Sequence, residues 1–104
     1  MGSTLEARVF AALTTAITEL NEGLPLEKRL ETGRQAAVFG EKGSLDSLGL
    51  ATLVILSEQE IEREFGRAVS LADERAMSQK RSPFRTLGSM TDYVVQLLKE
   101  NGHL

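Results

Sequence analysis

The chain contains no cysteine and no tryptophan, and its only histidine is His103, next to the last residue. Without cysteine it cannot form disulfides, cysteine-based zinc sites or a thiol nucleophile. A Ser-His-Asp triad would need a histidine from a tail, where chains are usually least ordered. The side chains are therefore poorly suited to covalent or acid–base catalysis, and we expect no enzymatic activity.

Basic residues are in the minority, because 12 Lys and Arg stand against 15 Asp and Glu, for a net charge of −3. This balance argues against a nucleic-acid partner, since phosphate recognition requires a basic face. No apolar run is long enough for a membrane span. The run Val9–Leu13 lies between Glu6 and Glu19 without a basic leader, which favours a helix over a signal peptide and predicts a cytoplasmic protein.

The remaining composition is that of an ordinary globular domain. The chain has 104 residues, of which 41 % are hydrophobic and 26 % are charged, so we expect one monomeric domain over residues 1–104. The charge is unevenly distributed. Residues 46–65 carry one arginine against five carboxylates, whereas residues 66–86 carry five basic and two acidic side chains. This dipolar layout is relevant to the choice of partners.

Periodic apolar residues predict three principal helices. The first covers residues 4–21, capped by Ser3 or Thr4. The second covers Ser47–Phe65, starting at Asp46 or Ser47 and ending at Gly66. The third begins at Ser89, where the sequence Ser-Met-Thr-Asp resembles a capping box in outline.

Two long connections separate these helices. Glycines and Pro25 interrupt residues 22–45, which we interpret as an ordered loop with one helical turn near Leu26–Glu31. In the second connection Val69 and Leu71 are expected to reach the core, and residues 73–77 could form a short helix. No alternating pattern predicts a strand. The sequence therefore predicts an all-α fold with three main helices and a short one.

The segment Gly43–Gly49 is the most informative for chemistry. It places Ser47 at the start of a helix, where backbone N–H groups and the helix dipole favour an anion. The simpler alternative is that Ser47 only caps the helix. A hydrolase nucleophile elbow does not fit, because the preceding glycine lies four residues before Ser47 rather than two, no strand precedes it and no internal histidine is available.

Asp46, Ser47 and Leu48, at the start of an apolar and then acidic helix, resemble the attachment motif of acyl carrier proteins. The order of the predicted elements matches that family over roughly residues 5–100, including Tyr93 and Val94 in the last helix. The resemblance implies a four-helix bundle and a phosphopantetheine arm, which a phosphopantetheinyl transferase would attach to Ser47 from coenzyme A, using magnesium.

Such a phosphoprotein would be non-catalytic. It would carry acyl or aminoacyl groups as thioesters and present them to acyl-activating or acyl-transfer enzymes of fatty acid or secondary metabolite biosynthesis. Asp46 would help to position the transferase, and Leu48 would be an exposed apolar contact. The alternative is a small helical adaptor with a carrier fold, which binds a protein partner without using the arm.

The chain also departs from the fatty-acid carriers. The turns after Leu48 lack charge until Glu58, which favours a specialised carrier over a housekeeping member. For partner recognition we expect Leu50, Glu58 and Glu62 in addition to Asp46 and Leu48. An acyl pocket could be lined by apolar residues that could equally be ordinary core residues, namely Phe39, Leu50, Leu53, Val54 and Phe84.

Overall fold

The computed structural model describes residues 4–39, 45–71 and 83–100. Helix α1 covers Leu5–Glu22, a short 3₁₀ helix covers Leu26–Lys28, α2 covers Ser47–Phe65 and α3 covers Leu87–Glu100. Over these ranges there is no strand, so the predicted all-α class is confirmed as a small helical bundle. The predicted turn at residues 73–77 lies outside the described residues, and the four-helix carrier type therefore stays a prediction. None of the described helices is long and apolar enough to cross a membrane.

Helix α1 supplies the apolar face on which the other two helices pack. The Thr4 hydroxyl accepts a hydrogen bond from the Ala7 N–H at 3.0 Å, so Thr4 is the cap. The helix is shifted by one residue at each end from its predicted bounds. Its inward stripe includes Val9, Leu13 and Ile17, all of them fully buried.

Helix α2 has the bounds that the sequence predicts. Asp46 is its N-cap, because the Asp46 carboxylate accepts a hydrogen bond from the Gly49 N–H at 2.7 Å. Gly66 ends the helix with φ of 70°, a left-handed conformation that glycine adopts without steric cost. Leu50, Leu53 and Ile61 are fully buried. The packing of α2 on α1 therefore extends along most of the helix.

Helix α3 begins two residues earlier than predicted. Ser89 does not start the helix. It lies in the first turn, and its side chain contacts Thr86, the residue that precedes the helix. The Thr86 hydroxyl accepts from the Ser89 N–H at 3.0 Å, and the Ser89 hydroxyl accepts from the Thr86 N–H at 3.1 Å. This is the reciprocal pattern of a capping box, with Ser89 in the place of the usual glutamate. Asp92 instead forms an ion pair with Arg34 at 3.2 Å.

The loop after α1 is attached to the start of α3 through backbone hydrogen bonds. The Leu87 and Gly88 N–H groups donate to the carbonyls of Ala36 and Arg34 at 3.1 and 2.7 Å. In return the Val38 N–H donates to the Arg85 carbonyl at 2.8 Å. Amides at a helix start lack partners within the helix, so the loop provides partners for two of them and is held in place.

The core is one cluster formed by the three helices and both connections. Val38 and Phe39 enter it from the loop after α1, and Phe84 enters it just before α3. Val69 and Leu71 are also buried, which confirms their predicted position. Phe84 meets Tyr93 edge to face, with ring centroids 5.9 Å apart. The loops therefore contribute to the core and do not merely link the helices.

Replacing Gly88 with alanine should destabilise the protein, because the added Cβ would lie 2.8 Å from the Arg34 carbonyl oxygen, a backbone atom. Since backbone cannot yield cheaply, we expect a loss of roughly 1–3 kcal/mol in the free energy of unfolding, measured by urea denaturation. Gly33→Ala is the matched control, because nothing lies within 4 Å of a Cβ at that position. Equal stability of the two variants would contradict the close packing of the loop on α3.

Candidate functional site

Ser47 is the first residue of α2, immediately after the cap residue. On the other side of the cap, Leu45 packs against the core, and its N–H donates to the Val38 carbonyl at 3.2 Å. The chain entering the helix is thus attached to the core two residues before Ser47. The segment that enters α2 is therefore attached to the core through Leu45.

The simpler interpretation of Ser47 as a helix cap is wrong, because Asp46 fills that role. The Asp46 carboxylate is bound to the Gly49 amide, and Asp46 itself is exposed. Gly49 allows this arrangement: a Cβ there would lie 2.9 Å from Leu45 Cδ2 and 3.3 Å from Asp46 Oδ1. Residue 47 is consequently not needed for capping, and it lies at the positive end of the helix dipole.

A cleft of about 210 Å³ opens beside the start of α2. Its walls come from α2 and from the segment following α1, and it is lined by Leu24, Lys28, Leu45, Asp46 and Gly49. Leu24 and Lys28 could not be connected with Ser47 from the sequence, because about twenty residues separate them from it along the chain. The only local signal was the apolar character of Leu24 in an otherwise irregular loop.

One face of α2 exposes large apolar side chains. Leu48 is 76 % exposed and Ile55 is 55 % exposed. They are seven residues apart, so they lie on one side of the helix with Thr52 between them. The expected exposure of Leu48 is confirmed, and its contact with a partner stays a prediction.

The prediction that Leu50 contacts a partner is wrong, because its side chain is fully buried. Leu50 faces inward, two positions along the helix from Leu48, and the 3.6-residue helical repeat places the two residues on different sides. Leu50 and the other candidates for an acyl pocket lie within the core cluster, the others being Phe39, Leu53, Val54 and Phe84. Their core role is shown, and their role toward a cargo stays a prediction.

The acidic half of α2 is less available than its sequence suggests. The Glu58 carboxylate accepts a hydrogen bond from the Leu71 N–H at 2.8 Å and so holds the following connection. Glu60 is only 7 % exposed, and Glu64 pairs with Arg8 at 2.8 Å. Glu62 is exposed and makes no ion pair with another described residue. Of the two glutamates predicted to meet a partner, Glu62 is therefore the better placed.

Burial raises the pKa of the Glu60 carboxyl, and a hydrogen bond with the Glu19 carboxyl raises this pKa further. Arg63 acts in the opposite direction, with its guanidinium 2.9 Å from Glu60 Oε2, but it is mostly exposed. Since the folded state holds this proton more tightly than the unfolded state, Glu60 favours folding at acid pH. That contribution is lost as pH rises from the ordinary carboxyl pKa through the raised one.

Glu60→Gln should therefore increase the free energy of unfolding near neutral pH, because it removes a desolvated charge facing Glu19. The gain should shrink as the pH falls through the raised pKa of Glu60 towards the ordinary pKa of a glutamate, and should stay constant below it. Chemical denaturation at a series of pH values measures this difference, with Glu62→Gln as the exposed control. A Glu60→Gln effect that is the same at acid and neutral pH would contradict the assigned cause.

In the described ranges, no three side chains from His, Asp or Glu come together in a way that could hold an ion.

Comparison of the chain with protein-family models, with curated proteins and with solved structures finds no match. The functional interpretation consequently depends on the residues themselves.

Proposed function

We propose that this chain is a phosphopantetheine-dependent carrier protein that holds acyl or aminoacyl groups on an arm attached to Ser47. The observation that carries the proposal is the arrangement at the start of α2: Ser47 is the first helical residue, Asp46 caps the helix, and Leu48 is exposed beside them. The protein would act in the cytoplasm as a specialised carrier.

The attachment chemistry fits this position. The Ser47 hydroxyl oxygen would attack the phosphorus of coenzyme A that bears the pantetheine. A new P–O bond forms to serine, and the bond between that phosphorus and the bridging pyrophosphate oxygen breaks. Adenosine bisphosphate leaves with the electron pair, and the serine proton passes to a base of the transferase. The phosphodiester then carries a negative charge at a helix N-terminus, where such charge is stabilised.

The composition is consistent with a carrier that leaves catalysis to its partner enzymes. The chain has no thiol of its own, and the thioester-forming sulfur would come with the arm. The thiolate is the reactive form of such a group, and partner enzymes would supply the catalytic groups for loading and transfer. The protein contributes the attachment residue and the surface that those enzymes recognise.

Incubation with coenzyme A, magnesium and a broad-specificity phosphopantetheinyl transferase should add the mass of one phosphopantetheine to the protein, measured on the intact chain. Ser47→Ala should abolish the increase, because the acceptor oxygen is removed. Ser44→Ala is the matched control and should keep it. No increase in the wild type, or an increase that survives Ser47→Ala, would refute the proposal.

The second candidate function is an adaptor that binds a protein partner without the arm. The observation in its favour is the apolar face of α2, where Leu48 and Ile55 are exposed. A protein partner could bind this face whether or not an arm is attached. An adaptor predicts that Ser47 stays unmodified in its native host and that Ser47→Ala leaves partner binding unchanged. A carrier predicts that Ser47 is modified in the native host and that Ser47→Ala changes partner binding.

If the transferase contacts the apolar face of α2, Leu48→Ala should lower its kcat/KM roughly 5- to 30-fold, the usual effect of losing an apolar anchor. The free energy of unfolding should change by less than about 0.5 kcal/mol, since Leu48 is exposed. Leu26→Ala is the matched control, because Leu26 is 77 % exposed and lies on the 3₁₀ helix. Equal rates for both variants would remove Leu48 from the recognition surface.

A further inference from the structure

The cleft beside the start of α2 lies between that helix and the segment that follows α1. It measures about 210 Å³, considerably more than a single water requires. Asp46 and Gly49, which line the cleft, lie on either side of residue 47 in the chain, the proposed attachment position. An inference about this cleft rests on the proposed function, because the arm on Ser47 is the occupant considered.

Two of its walls are apolar. Leu24 and Leu45 are half-buried and pack against the core with part of their side chains. Gly49 forms a third wall without a side chain, and the close approach of Leu45 to that position shows how tightly α2 and the loop meet there. The cleft therefore offers an apolar patch beside its polar groups, which a branched hydrocarbon group can contact.

The polar part of the lining consists of one cation and one anion. The Asp46 carboxylate already accepts the hydrogen bond from the Gly49 amide and serves as the helix cap. Lys28 is exposed, and no carboxylate among the described residues lies within ion-pair distance of it. A lysine free of such pairs, in a cleft that Asp46 and Gly49 also line, is complementary to a phosphodiester.

We propose that this cleft seats the first part of the phosphopantetheine arm, with Lys28 facing the phosphodiester and Leu24 and Leu45 contacting the dimethyl group that follows it. The apolar contact and the ion pair act on adjacent parts of one ligand, so the arm is held along the loop side of α2. Because Lys28 is exposed, the docked state is weak and sensitive to salt. The thiol end of the arm stays available to partner enzymes.

The test uses the full chain loaded with phosphopantetheine whose dimethyl group carries ¹³C. Intact mass first establishes whether the arm is attached. Nuclear Overhauser effects from the labelled methyl groups to the Leu24 and Leu45 methyl groups then report docking. Lys28→Gln removes the charge and keeps most of the side chain, and Lys99→Gln, an exposed lysine on α3, is the matched control.

We expect these cross-peaks in the wild type and in Lys99→Gln, with a roughly two- to fivefold loss in Lys28→Gln, as for an exposed ion pair. Added salt should weaken the wild-type cross-peaks and change those of Lys28→Gln less. An attached arm without cross-peaks to the cleft, or with cross-peaks unchanged by Lys28→Gln, would overturn the cleft assignment and leave the carrier function intact. Failure to attach the arm would overturn both.

Discussion

The packing of α2 on the apolar face of α1 is the contact on which the rest of the structure depends. Leu13 and Ile17 of α1 are fully buried, as are Leu50 and Leu53 of α2, and burial of each such side chain contributes about 1.5–3 kcal/mol. A domain of this size has few other sources of stability. With the inner face of α2 committed in this way, its start and its outer face remain for contact with other molecules.

The helices could be predicted from the sequence because their signals are local. Apolar periodicity with Thr4, Asp46 and Gly66 gave bounds within one residue for α1 and the observed bounds for α2. The predicted start of α3 was wrong because serine and threonine are both common helix caps. Thr86 is the residue that caps α3, and Ser89 lies inside its first turn. Hydrogen bonds from Gly88 and Leu87 to a loop some fifty residues earlier leave no such signal.

The same distinction between local signals and contacts of distant residues applies to the candidate site. The position of Ser47 at the start of α2 follows from neighbouring residues, and it could be predicted. The cleft could not, because it depends on Leu24 and Lys28 returning to Asp46 in three dimensions. Leu50 shows the opposite difficulty: in a stretch that is apolar on nearly every side, the sequence does not say which residues face inward. Its burial in the core corrects the surface role expected for it.

The most direct test of the carrier function is the modification state of the protein isolated from the cells that make it. Trypsin would release residues 43–63 as one peptide containing Ser44, Ser47 and Ser57, and fragment ions would locate any added group among them. A carrier protein should have phosphopantetheine, free or acylated, on Ser47. A peptide that carries no such group, or carries it on another serine, would contradict it.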